Sequence, residues 1–348
     1  MRTSNQRIWR TALVLGAIML ATGGSAKADD IADFYRGKKL SLIVSTDAGG
    51  GYDIWARLLA RHFSRHMPGN PDIVVQNMPG SGGLRVMNMM DGVAARDGTV
   101  IAIVHSTAPF TPLLEPHRGK FDAGRYGWIG SMAKESSVCV GWATARAKTF
   151  EDLKSHEMIV GSTGAGSHME IYPRLMNRLF GTKFRIVSGY KGGNDIYLAM
   201  ERGEAEGRCG VTMPGIRNTR PDWFTQKKAN FLIQTGLTPG TDEALKGVPD
   251  LIDMARNEQE RQMMELLFAN GEIQVPVSAP PGVPTARLAA LRDAFKRTMA
   301  DKALIDEGRK QTMEAQFVSG QDVEKLIAKV YATPPSVVKA TIAAVSEK

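Results

Sequence analysis

Cysteine and long apolar runs are both scarce in this chain of 348 residues. Its two cysteines, Cys139 and Cys209, are too few for a fold built on disulfides and lack the short paired spacing of a zinc site. The longest uncharged apolar stretch, 11–22, is shorter than the roughly 20 residues that a membrane-spanning helix needs. An integral membrane protein is therefore not expected, and a hydrophobic fraction of 43% is enough for a full buried core.

Motifs for nucleotides, metals and nucleophilic catalysis are also missing. Neither G-x-x-x-x-G-K-[ST] nor G-x-G-x-x-G follows a predicted strand, and no G-x-S-x-G nucleophile elbow occurs. His62 and His66 have the spacing of a metal pair, but flanking arginines would repel a cation, so we predict surface histidines there. The sequence predicts no cofactor, no metal and no catalytic residue.

The N-terminus has the three-part order of a secretory signal. Three arginines within the first ten residues precede the apolar segment 11–22, and a small-residue exit ends in Ala26-Lys27-Ala28. Because these blocks follow one another instead of interleaving, we predict a cleaved signal peptide at 1–28 rather than an amphipathic helix. Its removal lowers the formal charge from +8 by the four positive charges it carries. The remaining basic residues lie near acidic ones, so we expect no nucleic-acid partner.

Export gives the two cysteines a second interpretation. Both lie in strand-like segments, and an oxidising compartment would allow them to pair if the strands were neighbours. Sequence alone does not supply the distance between them. A disulfide and two buried free thiols therefore both remain open.

The predicted mature chain repeats one pattern of strand, glycine-rich loop and helix. A first region has predicted strands at 40–44, 73–75 and 99–104, and a second has them at 157–160, 184–187, 205–212 and 231–234. Extended segments are predicted at 126–142, between the two regions, and at 273–277, after the second, and helices are then predicted at 285–299, 321–331 and 335–345. This order predicts an α/β fold with largely parallel sheets.

The same order predicts two lobes that are joined by two crossings of the chain. We assign 29–134 together with 273–348 to the first lobe, and 135–272 to the second. The C-terminal helices are expected to pack back on the first lobe.

The loops after the predicted strands have a composition that suits anion binding. In open α/β sheets, ligands collect where strands end and helices begin. Glycine permits close backbone approach, and the unpaired N–H groups and dipole of a helix N-terminus attract negative charge. The facing loops 48–53 and 162–167 therefore predict a cleft for a small carboxylate.

Several residues in these loops keep two interpretations. Ser167 and Glu170 have the spacing of a capping box, so Ser167 is either a helix cap or a ligand contact. Asp53 caps its helix, orients the glycine loop or binds a cationic group directly, and we favour capping. His105 and His168 lie at loop positions that face the predicted cleft, where hydrogen bonding is the expected role.

Taken together, these segments resemble the receptors of tripartite tricarboxylate transporters, also called Bug or TctC-like periplasmic solute-binding proteins. The resemblance extends over nearly the whole mature chain. It is carried by the segments 48–53 (Ala-Gly-Gly-Gly-Tyr-Asp), 76–83, 97–99, 161–168, 190–193 and 279–284. The chain departs from the usual pattern at Tyr52, where the family often has Thr, and at His168-Met169-Glu170.

The resemblance implies a two-lobed periplasmic binding protein with a type II-like, Venus-flytrap fold. It also implies a set of ligand contacts, which come from the loops of both lobes. In the first lobe they are Ala48, Gly49, Gly50, Gly51, Tyr52, Asp53, Ser81, Ser106 and Thr107; in the second they are Thr163, Gly164, Ala165, Gly166, Ser167, His168, Asn194 and Asp195.

Our hypothesis from the sequence is a monomeric, non-enzymatic periplasmic receptor. It would close over a small organic carboxylate and deliver it to the membrane permease of a tripartite tricarboxylate transporter. Two alternatives stay open. One is a secreted hydrolase-like enzyme that uses His105 or His168 as a base, and the other is a sensory binding protein that acts on a membrane kinase.

Overall fold

The computed structural model describes residues 25–164, 167–190, 192–311 and 313–346, with side chains from residue 30 onward. The predicted signal segment lies outside the described residues as far as residue 24. Within these ranges no helix is both long enough and apolar enough to cross a bilayer.

The α-helices begin and end as follows: α1 Ser25–Tyr35, α2 Gly51–Phe63, α3 Leu84–Gly92, α4 Thr111–Leu114, α5 Asp152–Ser155, α6 His168–Phe180, α7 Gly193–Glu201, α8 Met213–Thr219, α9 Asp222–Thr225, α10 Glu258–Phe268, α11 Thr285–Met299, α12 Lys302–Lys310, α13 Gly320–Tyr331 and α14 Pro335–Val345.

The strands are β1 Lys39–Val44, β2 Asp72–Asn77, β3 Val100–Ile103, β4 Gly127–Ser131, β5 Ser137–Trp142, β6 Met158–Ser162, β7 Phe184–Ser188, β8 Gly207–Val211, β9 Ala229–Thr235, β10 Pro276–Ala279 and β11 Val318–Ser319.

The first sheet has the strand order β11-β4-β10-β3-β1-β2. Its strands β2, β1 and β3 are parallel, whereas β10 runs antiparallel to β3 and β4. One face packs on α2, α11 and α12 through residues such as Leu58, Phe295 and Leu304, and the other face packs on α3 and α13. We call this three-layer unit the first lobe.

The second sheet has the order β7-β6-β8-β5-β9 and forms the second lobe. Strands β7, β6 and β8 are parallel, and β5 runs antiparallel to β8 and β9. One face buries α6 and α10, and the other buries α7, α8 and α9 around Trp223. The α/β two-lobed fold is confirmed, but both sheets are mixed rather than largely parallel, because the crossing strands enter each sheet in the opposite direction.

The two crossings between the lobes lie side by side. Backbone hydrogen bonds join them, from the N–H of Met132 to the carbonyl of Val275 (3.1 Å), from Gln274 to Ala133 (3.0 Å) and from Glu135 to Gly271 (2.9 Å). Paired connections of this kind form a hinge that keeps the two lobes in register. The lobe boundaries at 134/135 and 272/273 remain a proposal.

The final helix departs from the predicted packing. Whereas α13 packs on the first sheet, α14 packs on α6 and α10, and its Val337 and Ala344 lie in the core of the second lobe. The apolar face of α14 thus completes the second lobe and not the first. The helices α1 and α12 were not predicted at all.

Cys139 and Cys209 form a disulfide, which resolves the two alternatives that the sequence left open. The bond joins β5 to its neighbour β8, with 3.9 Å between the two Cα atoms. It lies in the core of the second lobe, where both cysteines are fully buried.

The prediction of two surface histidines was wrong for His62. This side chain is 6% exposed, and its Nε2 lies 2.6 Å from a carboxylate oxygen of Glu307 on α12. His66 pairs with Asp301 at 2.7 Å. Among the described residues, no cluster of three His, Cys, Asp or Glu side chains is placed to hold a metal ion.

Candidate functional site

A cavity of about 600 Å³ lies between the two lobes, and we call it the interlobe cavity. Polar groups from both lobes line one part of it, and apolar side chains from α4, α10 and α14 line the other. Its polar lining consists mainly of Ser81, His105, Thr107, Thr163, Gly164, Ser167, His168, Glu170, Arg174 and Asn270.

The second-lobe wall of the interlobe cavity is the N-terminus of α6. This helix of 13 residues begins at His168 after Ser167, and the Ser167 side chain does not cap its first turn. The hydroxyl of Ser167 donates instead to the carbonyl of Gly164 at 2.8 Å. The capping box that the spacing of Ser167 and Glu170 suggested is therefore not formed, and the positive end of the α6 dipole faces the cavity.

Glu170 is buried just inside this helix end and holds the neighbouring loops together. Its carboxylate accepts hydrogen bonds from Ser162 (3.2 Å) and Ser188 (2.8 Å), and it pairs with Arg174 at 2.6 Å. Burial alone would raise the pKa of Glu170, but the contacts with Arg174 and Ser188 outweigh it and hold that pKa below its usual value. Glu170 therefore stays negatively charged, and its carboxylate is already bound by protein groups.

Two imidazoles face each other across the interlobe cavity. The ring centroids of His105, from the first lobe, and His168, from the second, are 6.2 Å apart. Burial lowers the pKa of His105 to about 4, and burial together with the neighbouring His105 lowers the pKa of His168 to about 3. Both rings are therefore neutral near pH 7, and each can donate or accept one hydrogen bond.

His168 carries an unused hydrogen-bonding group. Its Nε2 is buried and has no partner among the described residues, while its ring stacks on Tyr172 with 5.0 Å between centroids. Buried polar atoms are nearly always paired in native proteins, so an orphan atom beside a cavity indicates a ligand or water at that position. His105, in contrast, has a hydrogen-bond partner, because its Nδ1 lies 2.8 Å from the hydroxyl of Thr107.

Ser106 was predicted to contact the ligand, but its backbone N–H and its hydroxyl are both hydrogen-bonded to Tyr52. The Tyr52 hydroxyl accepts a hydrogen bond from the backbone N–H of Ser106 at 3.1 Å and donates to its hydroxyl at 3.3 Å. The Tyr52 ring also lies 5.2 Å from that of His105. Tyr52 thus lies behind His105 and helps to line a second space of about 340 Å³, together with Gly51, Trp55 and Glu135.

Asp53 orients the glycine loop rather than facing a ligand. The favoured prediction that it caps its helix was wrong, because the N-cap residue of α2 is Gly50 and no side chain bonds there. It is 1% exposed, and its carboxylate accepts hydrogen bonds from the N–H of Gly49 (2.8 Å), from Arg57 (2.9 Å) and from Asn77 (2.9 Å). Burial would raise the pKa of Asp53, but these donors outweigh it and hold the pKa below its usual value. Gly49 has φ +81°, a conformation that only glycine adopts without strain.

The predicted contact residues fall into five groups. Six of them line the interlobe cavity: Ser81, Thr107, Thr163, Gly164, Ser167 and His168. Gly51 and Tyr52 line the second space, whereas Ser106 and Asp53 are enclosed by protein groups. Ala48, Gly49, Gly50, Asn194 and Asp195 line neither space, and Ala165 and Gly166 lie outside the described residues.

Sequence reasoning missed the apolar part of the lining. Phe110, Leu114, Ile171, Leu267 and Ile342 lie there, on elements that are far apart in the chain. Ordinary core patterns place these residues on buried helix faces, so nothing in the sequence distinguishes them from core residues.

Comparison with known proteins supports this description of the molecule. The chain is 25% identical over 282 residues to a protein of Agrobacterium vitis, the UPF0065 protein in the TAR-I ttuE-ttuC' intergenic region, covering 79% of this chain and 75% of that protein. It is 37% identical over 100 residues to BugT of Bordetella pertussis, which is 29% of each chain. No protein-family model matches the chain.

Solved structures share the two-lobed architecture. A TctC solute-binding protein from Polaromonas superposes with a TM-score of 0.66 at 19% identity, over 89% of this chain and 99% of that one. MatC from Rhodopseudomonas palustris, with bound malate, gives a TM-score of 0.62 at 16% identity, over 89% and 99% of the two chains. In fold, the chain resembles the Bug/TctC proteins over most of its length.

This likeness in fold agrees with the geometry of the interlobe cavity, where polar loops of the two lobes face one shared space. The glycine loop after β1 is present, but Tyr52 and Asp53 bind protein groups. Most of the polar lining of the interlobe cavity therefore comes from the second lobe.

Proposed function

We propose that this chain is a periplasmic receptor that captures a small organic carboxylate between its two lobes and delivers it to a tripartite tricarboxylate-type permease. The observation that carries the proposal is the end of α6, where an uncapped helix N-terminus and the orphan Nε2 of His168 face the interlobe cavity. A carboxylate there would accept hydrogen bonds from the first-turn N–H groups and from His168.

Hydroxyl groups of both lobes are placed to complete the contacts. Thr107 and Ser81 approach from the first lobe, and Thr163 from the second. Since a ligand that touches both walls interacts more strongly with the closed form than with the open one, binding favours closure. The named ligand of MatC, malate, makes hydroxy and simple dicarboxylates the first probes.

Capture without turnover fits the site better than catalysis does. The two histidines that an enzyme would use as bases have pKa values of about 4 and about 3, far below the optimum for a general base at neutral pH. We further propose that the mature protein acts as a monomer, with the permease as its only macromolecular partner.

A binding screen tests the proposal. Malate, succinate, adipate and butyrate are added to the mature protein, and we expect at least one to raise the melting temperature without being consumed. Thr163→Val should weaken the binding of that acid by roughly three- to ten-fold, the range expected for one lost hydrogen bond. Thr238→Val, at an exposed position outside the interlobe cavity, is the matched control.

The screen also has a clear negative outcome. If neutral sugars stabilise the protein and every acid fails, carboxylate capture is wrong. If product forms from any of these acids, the receptor proposal gives way to an enzyme.

A further inference from the structure

The second space lies between the two lobes, beside the hinge that the paired crossings form. Ile54 and Trp55 on α2 line it from the first lobe, Pro214 on α8 lines it from the second, and Val275 lines it from a crossing. Its volume of about 340 Å³ is at the lower end of the range for small-molecule pockets. The second space is therefore large enough for a small ligand that contacts both lobes.

The two lobes are in direct contact at the second space. The side-chain amide of Asn218, on α8, donates to the carbonyl of Gln311, just after α12, at 3.3 Å. Both residues line the second space, which thus depends on the two lobes lying together.

Glu135 is the only charged side chain that lines the second space within the described part of the chain. It lies on the first crossing, where its backbone N–H pairs with the carbonyl of Gly271. Burial raises the pKa of Glu135 above its usual value, a hydrogen bond from Thr212 opposes this rise, and the like charge of Glu314 adds to it. A carboxylate that is removed from water beside another acid behaves in this way when it lacks a positive partner.

No ion pair of the described residues neutralises this carboxylate. Lys134 and Arg217, which share a neighbouring groove with Glu135, pair instead with Glu272 and Asp242. Since a partly desolvated charge without a counter-ion is unfavourable for folding, the fold alone does not explain a carboxylate at this position.

The rest of the lining suits a cation with an apolar body. Trp55, which is 8% exposed, and Tyr52 supply aromatic rings, and Gln274 supplies a side-chain amide. Burial raises the pKa of Tyr52, and the charge of Glu135 adds to this rise, so the carboxylate lies close to an aromatic ring. An ammonium group is attracted to aromatic faces and donates hydrogen bonds to carboxylate and amide oxygens.

The start of α2 does not turn the second space into an anion site. Gly51, the first residue of α2, lines the space, but Asp53 in the same turn supplies a compensating negative charge. An anion bound there would also face the Glu135 carboxylate, which would repel it.

We propose that the second space binds a small organic ammonium ion, with Glu135 as its counter-ion and Trp55 and Tyr52 as its aromatic walls. This ligand is opposite in charge to the one proposed for the interlobe cavity. The two spaces share no lining residue among those described, so the inference does not depend on carboxylate capture.

The test compares charged and neutral probes of the same shape. Binding of benzylammonium and butylammonium, and of the neutral benzyl alcohol and butanol, is measured by titration calorimetry on the wild type, Glu135→Gln and Glu314→Gln. We expect at least one ammonium ion to bind the wild type more tightly than its neutral counterpart. Glu135→Gln should weaken that ion by about ten-fold or more, as for the loss of one partner of an enclosed charge pair.

Glu314→Gln is the matched control, because Glu314 is exposed and does not line the second space. It should change the affinity for the ammonium ion by less than about three-fold, as expected for an exposed charge. Equal losses in the two variants would mean that only the overall charge matters, and the proposal would be wrong.

A third variant locates the bound ion. Ile54 lines the second space and is 38% exposed, so Ile54→Trp should fill part of the space without disturbing the core. We expect it to weaken the ammonium ion by about ten-fold or more while the melting temperature of the ligand-free protein stays the same. Unchanged affinity in Ile54→Trp would place the ion elsewhere and overturn the proposal.

The melting temperature of ligand-free Glu135→Gln separates a ligand role from a structural one. Glutamine keeps an oxygen that can accept from Thr212, and the carboxylate it replaces has no counter-ion, so this temperature should be unchanged or higher. A fall would assign Glu135 to the hinge and contradict the proposal. A wild type that binds no ammonium ion, or binds the neutral probes equally well, would also contradict it.

Discussion

Gly210 leaves the space that the base of the His168 side chain fills. A Cβ at position 210 would lie 2.5 Å from the Cβ of His168, a distance that real side chains do not tolerate. Gly210 also has φ +66°, at an irregular point in the pairing of β8 with β5. The bend in β8 therefore positions the residue that faces the interlobe cavity.

From this contact we predict that Gly210→Ala weakens carboxylate binding. The new methyl group would displace His168 and the start of α6, and it would add backbone strain of roughly 1–3 kcal/mol. Gly203→Ala is the matched control, since Gly203 has φ +78° but nothing within 4 Å of an added Cβ. Calorimetric titration of both variants checks the prediction, and equal affinity in the two would contradict it.

The two cavity histidines predict a loss of stability in acid. Their pKa values are about 4 and about 3 in the folded protein, against 6.5 for the unperturbed group. The unfolded chain therefore binds more protons below pH 6.5, and stability falls as the pH drops from there towards 4. Each ring contributes at most about 1.4 kcal/mol per pH unit in this window.

Urea unfolding at several pH values measures this effect. The double variant His105→Gln/His168→Gln should show a flatter dependence on pH between 6.5 and 4 than the wild type. The same double change at the exposed His117 and His156 supplies the comparison. An identical slope in all three proteins would show that the cavity histidines are not responsible.

Tyr52→Phe tests the hydrogen bonds between the Tyr52 hydroxyl and Ser106. The substitution removes the hydroxyl that accepts from the Ser106 N–H and leaves this buried donor unpaired, at a cost of about 1–3 kcal/mol in the free energy of unfolding. Tyr190→Phe is the control, because the Tyr190 hydroxyl makes no hydrogen bond to the described residues, and it should change stability by less than about 0.5 kcal/mol.

A double-mutant cycle with Ser106→Ala isolates the side-chain part of the same contact. If Tyr52→Phe and Ser106→Ala are additive in denaturant unfolding, the hydrogen bond between the two hydroxyls contributes nothing measurable.

The disulfide predicts a large sensitivity to reductant. The cysteines are separated by 70 positions in the sequence, and closing a loop of that length in the unfolded chain stabilises a protein by about 4 kcal/mol in the chain-entropy model. We expect Cys139→Ser/Cys209→Ser to lower the urea midpoint by a corresponding amount. Wild type with reductant should match the variant, and a midpoint that neither change affects would rule out a stabilising role.

Much of the fold was predictable because it depends on local patterns. The glycine loop at 48–51 and the apolar spacing from Ile54 onward indicated β1 and α2 without any knowledge of their partners. The helix α12 was missed, since it buries mainly Leu304 and Gly308 and its sequence is otherwise polar. The path of α14 was missed for a different reason, because an apolar helix face does not indicate which sheet it will cover.

The candidate site shows the same division between local and distant information. Six predicted loop residues do line the interlobe cavity, since loops after parallel strands meet at one edge of a sheet. The hydroxyl of Tyr52 is hydrogen-bonded to Ser106, which lies 54 positions further along the chain. Nothing in the sequence indicated this contact.

Local composition thus determined the strands, the helices, the glycine loops and the two-lobed plan, because turn residues and apolar periodicity act over a few residues of chain. Tertiary structure decided the disulfide, the facing histidines and the enclosure of Asp53. Each of these depends on which strands become neighbours and which side chains are removed from water, and those are properties of the packed molecule as a whole.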